Sequence, residues 1–119
     1  MLYMAIFILE GETDVKRSHR LANPLQGQPS DRAISVLAEE ADCYEHISKI
    51  AHKLRSADIE LKYIQKAAEL WDDLAKFVAD ANMIDKAAQF YKRASEQRVN
   101  RIVTLKLVDL GEYYKPRMR

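Results

Sequence analysis

The chain has 119 residues, 48% of them apolar, and 19 Lys and Arg against 18 Asp and Glu give a net charge of +1. That is one domain's worth of foldable sequence, which excludes global disorder and singles out neither a polyanion nor a polycation as partner. The one cysteine, Cys43, excludes a scaffold stapled by internal disulfides and any zinc site that takes two cysteines from one chain.

In chain order, the first element is an apolar, β-prone run from Leu2 to Leu9. It is far shorter than the ~20 residues needed to cross a bilayer. No basic residue precedes it and Glu10 and Glu12 follow it, so it does not read as a signal peptide. The expectation is a cytoplasmic protein with no membrane partner. Residues 11–30 are polar and hold Gly11, Pro24, Gly27 and Pro29, too many breakers for a regular element. Residues 1–30 are therefore expected to form an apolar segment and an irregular loop.

From Ser30 to Leu110 there is no Gly or Pro. Such residues cost about 1 and about 3 kcal/mol in a helix interior, so their absence favours long helices. The spacing predicts helices at about 31–54, about 57–81 and from about 83. Ser56 and Asn82 are the expected N-caps of the second and third, each with an acid in the first turn, Asp58 and Asp85. Short turns make neighbours antiparallel.

On the first helix Ile34, Leu37, Ala41, Tyr44, Ile47, Ala51 and Leu54 form a stripe, and Glu40 intrudes on it. On the second, apolar residues from Ala57 to Ala81 cover an arc of roughly 200° at ~100° per residue, which is too wide for one neighbour. This helix is expected to lie in the centre. Glu60 sits inside its apolar arc. Both acids are read as partly exposed edges. The third helix carries Met83, Ala87, Phe90, Tyr91 and Ala94, but continuing it puts Arg98 and Arg101 on the same stripe. The run Arg101–Leu110 is β-branched and reads as strand or helix, with Leu2–Leu9 its partner if it is a strand. The expected fold is mainly α: three long antiparallel helices in a bundle over 31–110, with the option of a two-stranded patch from the terminal segments, and a basic tail over 111–119.

Trp71, Leu74, Ala75 and Val78, followed by Ala87, Tyr91 and Ala94, resemble the large–Leu–small and small–aromatic–small series of a tetratricopeptide repeat over residues 71–94. Val99 stands where that family has proline. The resemblance implies a helical hairpin with small residues at the close approach, aromatics filling the cleft, a protein-binding groove and no catalysis.

Chemistry is hard to find. Asp42 and His46 are an i, i+4 pair on the first helix, but two ligands do not make a metal site. His52 points elsewhere, and Cys43 reads as a small packing residue beside acids rather than a nucleophile. With three glycines and no phosphate-loop pattern, a nucleotide cradle is implausible. No catalytic, cofactor or metal residue is expected, and no enzyme activity.

Charge is asymmetric: residues 39–80 hold ten acids and six bases, residues 85–119 four acids and nine bases. Complementarity between the basic third helix and the acidic edge of the second explains this most simply. The leading functional expectation is a protein-interaction module (adaptor, chaperone or inhibitor) whose partner is another protein or a second copy. Trp71, Phe77, Phe90, Tyr91, Arg98 and Arg101 are its candidate contact residues. The alternative is nucleic-acid binding through Lys92, Arg93, Arg98, Arg101, Lys106, Lys115, Arg117 and Arg119. A self-assembling structural subunit is the third reading.

Overall fold

The computed structural model describes residues 30–114. They form three helices, α1 (Asp31–Lys53), α2 (Ala57–Asp80) and α3 (Ile84–Asp109). There is no strand among the described residues. Leu2–Leu9, the irregular loop and residues 115–119 lie outside them.

Each helix boundary has a local cause. Ser30 caps α1, its hydroxyl accepting from Ala33 N at 3.1 Å, with Asp31 in the first turn. All three C-termini close with the same double hydrogen bond, in which a left-handed residue turns the chain out of the helix. At α1 the residue is Arg55 (φ 57°), with Ser56 N donating to Ala51 O at 2.9 Å. At α2 it is Asn82 (φ 62°), with Met83 N donating to Val78 O at 2.9 Å. At α3 it is Gly111 (φ 71°), with Glu112 N donating to Leu107 O at 2.9 Å. Asn82 thus ends α2 instead of capping α3. Met83 holds the cap position, without a side-chain bond. Ser56 holds the cap position of α2, also without one. Asn tolerates the left-handed region better than most residues, and here that preference outweighs its preference for a cap.

α2 is central, with α1 and α3 packed chiefly on it rather than on each other. Leu37, Ala41, Tyr44 and Ile47 of α1 meet Tyr63, Ala67, Leu70, Trp71 and Leu74 of α2, with Ala94 of α3 completing the cluster. A smaller cluster of Ile34, Val78 and Ala87 closes the end near the α2–α3 turn. The wide apolar arc of α2 is what lets it serve both neighbours.

The run Arg101–Leu110 is helical from Arg101 to Asp109 with Leu110 as the C-cap, so the strand option for residues 102–110 is overturned. β-branched residues lose only a few tenths of a kcal/mol in a helix. Continuing α3 keeps the backbone bonded and turns Thr104 inward, where it is 4% exposed. The arginines on the inner stripe do not stop the helix either. Arg98 ion-pairs with Asp72 of α2, and Arg101 reaches solvent.

Candidate functional site

Glu60 and Glu40, expected at an exposed edge, are buried, at 5% and 8% exposure. A carboxylate survives burial when donors replace its water. Glu60, in the first turn of α2, is held by all three helices and by the chain that follows them. His52 Nδ1 of α1 lies 3.0 and 3.2 Å from its two oxygens. Thr104 of α3 donates its hydroxyl at 2.9 Å. The Tyr113 hydroxyl donates a short hydrogen bond to Oε1. The left-handed turn at Gly111 delivers Tyr113, whose ring is 1% exposed and packs edge-on against His52 at 5.6 Å. The cluster therefore locks the C-terminal turn onto the α1–α2 corner.

Burial, and then the hydrogen bond to and charge of Glu60, push the Tyr113 hydroxyl pKa up. The unfolded chain releases this proton near pH ~10, whereas the folded chain keeps it to higher pH. The stability gained is therefore complete below about pH 10 and falls as pH rises above it. Melting temperatures of the wild type and Tyr113→Phe, followed across about pH 8–12, should converge at the alkaline end. A constant gap would show that Glu60 does not hold this proton in place.

A second polar cluster closes the middle of the bundle. Trp71 Nε1 donates to Glu45 Oε2 at 2.6 Å. Arg93 of α3 reaches across to α1, donating to Glu45 at 2.8 Å and to Asp42 at 2.7 Å. Its guanidinium lies 4.4 Å over the Trp71 ring, which also stacks with Phe90 at 5.6 Å. Burial lowers the Arg93 pKa, but the bonds and charges of Glu45 and Asp42 outweigh it and the net shift is upward.

Beside the Glu60 cluster α1 and α3 stand apart over α2. The groove there measures about 730 Å³, with Glu60 and Ile64 of α2 at its base. His46, Lys49, Ile50 and Lys53 line one wall, and Gln97, Asn100, Val103 and Leu107 the other.

The candidate contact residues divide between core and surface. Trp71 and Phe77 are buried, at 2% and 3%, and Phe90 is partly buried against Trp71. Tyr91, Arg98 and Arg101 are on the surface. Tyr91, which the repeat resemblance puts in the cleft, is 41% exposed, and Phe90 fills the space instead. Of the basic set, Arg93 and Arg98 are engaged by carboxylates, Lys92, Arg101 and Lys106 are exposed, and Lys115, Arg117 and Arg119 lie outside the described residues. Cys43 is exposed, not a packing residue. Among the described residues no group of three or more His, Cys, Asp or Glu could hold a metal ion, and no helix is long and apolar enough to cross a membrane.

Sequence reasoning missed the groove and the outer face of α3. Among the described residues, seven of the nine exposed large apolar residues, Ile84, Tyr91, Val99, Ile102, Val103, Val108 and Leu110, belong to α3 or its C-cap; the other two are Leu54 at the end of α1 and Tyr114. The signal was available, since an apolar residue off the core stripe of a two-sided helix has nothing to cover it.

The chain matches no protein-family model, no curated protein and no solved structure.

Proposed function

We propose that the chain is a non-enzymatic protein-interaction module, an adaptor, chaperone or inhibitor, that docks another protein along the outer face of α3. One observation carries the reading. At ~100° per residue, six of the seven exposed large apolar residues of α3 and its C-cap, Ile84, Tyr91, Val99, Ile102, Val103 and Leu110, fall within roughly 120° of arc, and only Val108 lies off it. The buried residues of the same helix, Ala87, Ala94, Gln97 and Thr104, lie on the other side. Ile102 is 65% exposed, Ile84 64% and Val99 58%. Exposed apolar side chains gathered on one face of a small chain support an interface there, with Lys92 and Lys106 sharing the arc. The nucleic-acid reading has less support, because Arg93 and Arg98 spend their charge on Asp42, Glu45 and Asp72.

The double variant Val99→Glu, Ile102→Glu tests this. Both sites are exposed, so stability should change by no more than about 0.5 kcal/mol per site. Affinity capture from native extract treated with nuclease should recover a stoichiometric partner with the wild type and lose it with the variant. Equal recovery by both would refute the stripe. Recovery that nuclease abolishes would favour the basic surface instead, and recovery of the chain alone would favour self-assembly.

A further inference from the structure

We propose that the groove between α1 and α3 binds a small anionic amphiphile, a carboxylate head on an aliphatic body. The groove meets the outer stripe of α3 at Val103, which borders both, but its lysines and amides lie off that stripe, so the two readings are tested apart.

The charge of the groove is unbalanced. Lys49 and Lys53 stand one turn apart on its α1 wall, and Arg55 follows at the turn. Among the described residues none of the three makes an ion pair. Like charges one turn apart repel each other unless an anion lies between them. The groove has one acid in its lining, Glu60, and its oxygens are already engaged by His52, Thr104 and Tyr113. A cationic ligand would find no free carboxylate there, but an anion would find three cations.

The opposite wall supplies an unused hydrogen-bonding group. Gln97 is 5% exposed and lines the groove, yet its amide makes no hydrogen bond among the described residues. Its amide atoms keep access to the solvent of the groove, so a ligand oxygen can take the place of water there. Asn100, one turn on, adds a second amide. Both can donate to a carboxylate oxygen, and Lys49 and Lys53 line the same groove from α1.

Below and beside these groups the surface is apolar. Ile50, Ile64, Val103 and Leu107 line the groove. A volume of about 730 Å³ falls within the range of small-molecule sites, which combine apolar walls with a few placed polar groups. An aliphatic chain against these four residues, with its head at the lysines and amides, uses every feature of the groove.

The test is calorimetric titration of the full chain with sodium decanoate, with decyltrimethylammonium and decanol as controls, all below their micellar concentrations. Decanoate should bind saturably at one site, and the ammonium analogue at least about tenfold more weakly, a difference that charge alone accounts for. Lys49→Glu with Lys53→Glu, both exposed, should weaken decanoate by about tenfold or more, and Gln97→Leu by about threefold or more. Val99→Glu with Ile102→Glu should leave it unchanged, which separates this site from the outer stripe. Circular dichroism confirms that each variant folds; if Gln97→Leu does not, the lysine pair decides. No saturable binding, equal binding of the two charged amphiphiles, indifference to the lysine reversal, or loss in the outer-stripe variant would each overturn the proposal.

Discussion

Trp71→Ala should lower the free energy of unfolding by about 3–5 kcal/mol, read from the midpoint of a urea titration. Its ring is 2% exposed in the main core cluster and stacks with Phe90, so truncation leaves a cavity between α2 and α3. Truncation also removes the indole donor from Glu45 and the surface on which the Arg93 guanidinium lies. Trp71→Phe separates the two contributions. It keeps most of the ring packing and gives up the hydrogen bond, for an expected loss of about 1–3 kcal/mol. An unchanged midpoint in Trp71→Ala, with loss of a binding partner, would instead make Trp71 an interface anchor and contradict its place in the core.

Glu60→Ala should cost a comparable amount, about 3–5 kcal/mol, because it strands donors that the bundle has buried around the carboxylate. Thr104 is 4% exposed and Tyr113 1%, and both donate to Glu60. The loss belongs to the cluster rather than to Glu60 alone. Glu60→Leu combined with Tyr113→Phe should therefore be less destabilised than the two single variants added together, by about 0.5–3 kcal/mol of coupling. Strict additivity in urea titrations would show that the two groups do not work as a unit. The local consequence is equally distinct. Without Glu60, amide exchange should speed up in the turn after α3 while the Trp71 region keeps its protection.

Much of the architecture is legible in the sequence, for identifiable reasons. The Gly- and Pro-free stretch and the 3.6-residue periodicity place all three helices, and the width of the α2 arc places that helix in the centre. Two kinds of information are not legible. The first is long-range pairing. Glu60 looks like an intruder on an apolar arc because its partners, Thr104 and Tyr113, stand 44 and 53 residues away. Arg98 looks like a helix breaker for the same reason, since Asp72 answers it from another helix. The second is competition between two valid local preferences. Asn82 can cap a helix or end one in the left-handed region, and propensity alone does not choose between them. The β-branched run after Arg101 has strand propensity, but the cost of keeping it helical is small beside that of breaking a bonded helix.

The same distinction governs the candidate sites. Aromatic residues at helical spacing, Trp71 and Phe77, are core, whereas the apolar residues that fit no core stripe, Val99 and Ile102, face out. The groove depends on how far α1 and α3 stand apart over α2, and no local pattern encodes that separation.

The central claim is that the outer face of α3 is an occupied protein surface, and photo-crosslinking in native cells tests it most directly. A photoreactive residue is placed at Ile102 in the stripe and, as control, at Lys76, which is exposed on α2. The account predicts a discrete higher-mass protein adduct from position 102 and none from position 76. Adducts of equal yield from both positions, or none from position 102, would contradict it.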